Sequence, residues 1–100
     1  MSAEYATMIH LIPDYMQAGM LRWIEHGIPP GSFLEAVIKN DLMHAFEKAD
    51  STNEHCMRDY VIFLYNYAPS DCFGSKEAYG AWKAQGGLMG LVNTEALSSA

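Results

Sequence analysis

The chain has 100 residues, half of them apolar and 18% charged, with 12 Asp and Glu against 6 Lys and Arg for a formal charge of −6. That length makes one domain with a modest core, and that apolar content excludes a disordered acidic chain. The acidic balance argues against direct nucleic-acid binding, which draws on a basic stripe, and the acids are too sparse to mimic a phosphate backbone; it fits docking onto a partner that presents Lys and Arg.

Residues 1–12 are weakly patterned, with Met8-Ile9-His10-Leu11-Ile12 as an apolar strap or the lead-in to a helix. Met1-Ser2-Ala3-Glu4-Tyr5 lacks the basic start of a signal peptide, and no apolar stretch nears the ~20 residues of a membrane span. A soluble, cytoplasmic protein is expected, without membrane contact. Pro13 suits the first turn of a first helix, where its missing N–H costs nothing. Met16, Met20, Trp23 and Ile24 then recur at helical spacing until Gly27 ends the helix as its C′ residue.

The run Gly27-Ile28-Pro29-Pro30-Gly31 separates this helix from the next, which Ser32 restarts with Glu35 placed for a capping box. Phe33/Leu34, Val37/Ile38, Leu42, Ala45/Phe46 and Ala49 predict one second helix of about four turns with a broad apolar face. Asp50-Ser51-Thr52 breaks the run. Ser51 with Glu54 offers another capping box, with Asp50 or Thr52 as alternative caps, and a third helix runs from about Asn53 to Tyr67. Its predicted inward stripe is Met57, Tyr60, Val61, Leu64 and Ala68, and Pro69 stops it. After the turn Pro69–Gly74, Ser75 caps a short fourth helix carrying Ala78, Tyr79 and Trp82, closed by Gly86-Gly87. The expected fold is all-α: residues 1–100 as a single helical domain, a compact bundle of about four helices with short connectors, its lead-in (1–12) and tail (88–100) loosely held.

Chemistry is thin along this chain. Structural zinc sites pair ligands at short regular spacing, whereas among His10, His26, His44, His55, Cys56 and Cys72 only His55-Cys56 are neighbours, and neighbours on a helix diverge. No metal and no cofactor is expected. There is no nucleophile elbow, P-loop, GxGxxG or HExxH, so no enzyme and no small-molecule substrate are indicated; Cys72 with a distant histidine remains the one formal nucleophile pair. The second helix fails as a DNA reader, since Glu35, Asp41 and Glu47 outweigh Lys39 and Lys48. Seven Met, six Tyr and two Trp fill an irregular core, and any left outside serve as interface anchors. Judged by charge and expected exposure, the partner-binding candidates are Asp14, Glu25, Glu35, Asp41, Glu54 and Asp59 near helix ends, with Tyr67 and Phe73 as anchors.

Over residues 13–87 the residues Gly27-Ile28-Pro29-Pro30-Gly31-Ser32-Phe33-Leu34, Ala36-Val37, Asn40-Asp41-Leu42, Ala45-Phe46, Ala49-Asp50 and Asn53 form a distinctive pattern. It continues with Phe63-Leu64-Tyr65-Asn66, Ala68-Pro69, Cys72, Gly74-Ser75 and Trp82. In these the chain resembles a widespread family of small proteins of phages, mobile elements and proteobacterial genomes that includes anti-CRISPR inhibitors. It is most similar to the widely distributed sixth family of type I-F inhibitors. The resemblance implies a phage or prophage protein acting in the host bacterial cytoplasm. It further implies stoichiometric, non-catalytic binding to the type I-F crRNA-guided surveillance complex, at the large subunit and the adjacent backbone subunit, which blocks double-stranded target DNA. It carries over no catalytic or binding residue. A small helical adaptor or regulator of another host or phage protein is the alternative, and an enzyme built on Cys72 and a histidine stands third.

Overall fold

A computed structural model describes residues 4–90, and every regular element among them is helical. The predicted loose ends, 1–12 and 88–100, fall in part outside these described residues. Helix α1 (Glu4–Met8) passes through a 3₁₀ turn (Ile9–Leu11) into α2 (Asp14–His26); α3 (Ser32–Ile38), α4 (Leu42–Lys48), α5 (Ser51–His55) and α6 (Met57–Tyr67) follow. A second 3₁₀ turn (Ser70–Cys72) leads to α7 (Lys76–Gln85), and residues 87–90 are again helical. The all-α expectation holds; the count of about four helices does not.

Two breaks each divide an expected helix in two, and α1 in the lead-in adds one more. The predicted second helix divides into α3 and α4 because Asn40 takes a left-handed conformation (φ 62°), which Asn tolerates better than most residues. Asp41 then restarts the chain as an N-cap, its carboxylate accepting the His44 amide at 3.3 Å. The predicted third helix divides into α5 and α6 at Cys56 (φ −102°, ψ 11°). Of the caps open to α5, Asp50 is the one used, accepting the Asn53 amide at 2.7 Å. Ser75 caps α7 as expected, accepting from Ala78 at 3.0 Å. Ser32 does not cap α3: Gly31 holds that position without a side-chain bond, and Glu35 turns elsewhere.

The core is one cluster. It takes Tyr5 and Ile12 from the lead-in, Met20, Trp23 and Ile24 from α2, and Phe33, Leu34, Ala36 and Ile38 from α3. Ala45, Tyr60, Phe63, Leu64, Cys72, Tyr79 and Trp82 complete it. On α6 the inward residues are Tyr60, Phe63 and Leu64; Val61, expected inside, faces out. Asn53 is the buried polar exception, and it accepts a 2.6 Å hydrogen bond from the Tyr60 hydroxyl, so the burial leaves no orphaned group. Burial raises the Tyr60 hydroxyl pKa, which keeps it a donor.

The α2 and α7 ends meet backbone to backbone. Gly27 ends α2 in the left-handed region (φ 66°), its amide donating to the Trp23 carbonyl at 2.9 Å. A Cβ there would lie 2.9 Å from the Gly87 nitrogen and the Trp82 carbonyl oxygen. The Trp82 indole N–H in turn donates to the carbonyls of Trp23 (3.0 Å) and Ile24 (3.2 Å), the second of which belongs to the last turn that a helix end leaves without an intrahelical donor.

Candidate functional site

Trp23 organises the half-buried polar cluster of the molecule. Its indole N–H donates to the Cys72 carbonyl at 3.0 Å, and its ring stacks on Tyr79 with centroids 4.6 Å apart. The Tyr79 hydroxyl donates to Glu35 at 2.8 Å; Lys39 sits 3.2 Å from the same carboxylate and 4.7 Å above the Tyr79 ring. Three elements thus converge on one carboxylate: α3 supplies Glu35 and, one turn on, its C-cap residue Lys39, α2 supplies the stacking face, and α7 the hydroxyl. The Tyr79 bond, then Lys39, lower the Glu35 pKa, while burial and then Glu35 push the Tyr79 hydroxyl up to about 12. Beside the cluster lies an open cleft of about 340 Å³ to which Glu35, Lys39, Asp41, His44 and Lys48 contribute. The side chains there are engaged with one another: Asp41 meets His44 Nδ1 at 2.6 Å, and Lys48 lies 3.7 Å from Glu47.

Because its folded pKa is lowered, Glu35 contributes stability at pH values above its ordinary 4.5, and that contribution disappears as the pH falls through the lower folded value. Glu35→Gln is therefore expected to cost ~0.5 kcal/mol at pH 7, the figure being held down by solvent screening of a partly exposed side chain. The gap between wild type and variant should narrow as the pH is lowered from 7 to 3. Urea unfolding at both pH values checks this, and a gap that widens in acid would reverse the sign.

The formal nucleophile is disarmed by its position. Cys72 is fully buried, and its thiol is pushed up to about 12 chiefly by that burial, so the reactive thiolate is not formed near neutrality. Its backbone, through the bond from Trp23, does the structural work.

No family model, curated protein or solved structure matches the chain.

The eight partner-binding candidates spread over the molecule. Asp14 is exposed at the start of α2 and accepts from Gln17 at 3.3 Å; Glu25, half-buried, accepts the Tyr5 hydroxyl at 3.0 Å and ties α2 to α1. Glu35 and Asp41 are brought together at the cleft, each held by its own partner. Glu54 is exposed on α5 and Asp59 half-buried on α6, and neither side chain makes a hydrogen bond or ion pair with the described residues. Tyr67 and Phe73 are half-buried against the core. Phe73 also lines an apolar pocket of about 230 Å³ with Val37, Val61, Leu64 and Tyr65.

That pocket belongs to a surface which the helical periodicity assigned to the core. Leu42 and Phe46 on α4 and Val61 on α6 continue apolar stripes in the sequence, yet they are exposed, as is Tyr65 one turn after Val61. The break at Asn40 turns Leu42 and Phe46 of α4 outward and leaves Ala45 as its buried residue. Its signal in the sequence was the Asn40-Asp41 pair, a left-handed residue followed by a cap.

Proposed function

We propose that this chain is a non-catalytic binding protein that inhibits a type I-F crRNA-guided surveillance complex by occupying it stoichiometrically. In this reading it docks at the large subunit and the adjacent backbone subunit, denies the complex its double-stranded target DNA, and acts in the cytoplasm of a phage-infected bacterium. The observation that carries this is the surface: Glu54, Asp59 and Asp71 stand without hydrogen-bond or ion-pair partners among the described residues, on a chain of charge −6. A complex that holds RNA must present Lys and Arg, and carboxylates left unpaired are available to them. The buried, protonated thiol of Cys72 favours a binding role over the enzyme alternative. The family resemblance over residues 13–87 supplies the partner.

The test is co-elution of the purified protein with a type I-F surveillance complex, followed by a double-stranded DNA binding assay. The expected result is a stable complex that no longer binds DNA. Charge reversal at Glu54 and Asp59 together is expected to weaken it by about tenfold at low salt and by much less at 0.5 M salt. Separate elution with DNA binding intact would give precedence to an adaptor role on another protein.

A further inference from the structure

The α4 and α6 surfaces carry an apolar stripe that no other described residue covers. Leu42 and Phe46 lie one turn apart on α4, as do Val61 and Tyr65 on α6, and Leu42 and Val61 line one shallow groove between the two helices. Met43 flanks Phe46 across the same face, and Phe73 floors the pocket beyond Val61 and Tyr65. Met43 is 80% exposed, Tyr65 79%, Leu42 62%, Val61 60% and Phe46 46%. Such exposures amount to ~600 Å² of side chain, the upper end of the largest patch on a typical monomer. Scattered exposed hydrophobics are ordinary, whereas a contiguous patch at the upper end of that range is often functional.

We infer that this stripe is the docking face for a folded protein surface that offers an apolar anchor ringed by Lys and Arg, an inference that rests on the function proposed above. Area and charge decide against a second copy of the chain. Obligate homodimers bury at least ~1,000 Å² per protomer, well beyond this patch, whereas ~600–800 Å² per partner suits a non-obligate complex. Two copies would also bring together two chains of charge −6. Asp41 lines the groove with Leu42 and Val61, and the whole chain carries 12 Asp and Glu against 6 Lys and Arg, so the complementary surface is a basic one. Tyr65 and Phe73 frame a pocket of about 230 Å³, enough for a partner's Leu, Met or Phe side chain, and they supply the large, stiff contact area typical of energetic anchors.

The experiment compares wild type, Tyr65→Ala, Val61→Lys and the distant control Ala18→Lys for co-elution with a purified type I-F surveillance complex, and sediments each protein alone at 100 μM. Val61 and Tyr65 are exposed, so both variants should keep the wild-type circular dichroism spectrum and melting temperature. With wild type bound, a loss of at least tenfold in affinity in both stripe variants and none in Ala18→Lys upholds the docking face. Equal binding by all four overturns it and leaves the proposed function standing. Failure of wild type to co-elute overturns the proposed function and this inference with it. A wild-type dimer that Tyr65→Ala dissolves assigns the stripe to a second copy and overturns the partner named here.

Discussion

Trp82→Ala is expected to remove ~3–5 kcal/mol of stability, a large share of the ~5–15 kcal/mol that a domain of this size possesses. The ring is buried where α7 meets the α2 terminus, so its loss leaves a cavity that flanking backbone cannot easily fill. In thermal denaturation the midpoint should fall by roughly 15–30 °C. Trp82→Phe separates the two contributions. Most of the apolar contact survives, but the N–H shared by the Trp23 and Ile24 carbonyls is gone. The Trp23 carbonyl keeps its bond from the Gly27 amide, whereas Ile24 loses the partner it had, and ~1–3 kcal/mol should follow from that one unsatisfied acceptor. A Trp82→Ala midpoint within 5 °C of wild type would mean that α7 contributes little to holding α2.

Trp82 also shows what the sequence made legible. Its place on the inner face of a helix capped by Ser75 and closed by Gly86 followed from local rules, and the structure agrees at each point. The Gly27 stop, the Pro69 stop and the helical state of Val61-Ile62-Phe63-Leu64-Tyr65 follow from the same short-range logic. What periodicity could not supply was phase across a break. Leu42 and Phe46 continue the α3 stripe in sequence, but the left-handed turn at Asn40 rotates α4 about its axis and puts them outside. On α6, Val61 and Phe63 each fit an apolar spacing with Tyr60 and Leu64, and only the three-dimensional position of α1 and α3 decides which goes in. The partners of Glu35 were equally invisible, since Tyr79 lies 44 residues away. The candidate surface was therefore half legible: Phe73 and the acids were chosen by charge and type, while the stripe beside Phe73 depends on a helix break whose consequence is tertiary.

Gly87→Ala should be among the most damaging single-atom-group changes in the chain, and Gly80→Ala among the most benign. Gly87 has φ 70°, in the left-handed region where a side chain costs ~1 kcal/mol. A Cβ there would lie 2.5 Å from the Glu25 carbonyl carbon and the His26 nitrogen, backbone atoms that cannot rotate aside. The only relief is to draw the α7 terminus away from α2, which stretches both hydrogen bonds of the Trp82 indole. The combined penalty is expected on the order of 3–4 kcal/mol. Gly80 is mid-helix in α7 with open space around its missing Cβ, so alanine there should stabilise by ~0.5–1 kcal/mol through helix propensity and a less disordered unfolded chain. Urea unfolding of the two variants and of the double variant checks both signs. If backbone contact at Gly87 is what locks α7 to α2, the double variant should stay close to Gly87→Ala alone, because a better helix that cannot dock recovers little. Full additivity would show instead that α7 is held mainly by its own helical stability and by the Trp23–Tyr79 stack.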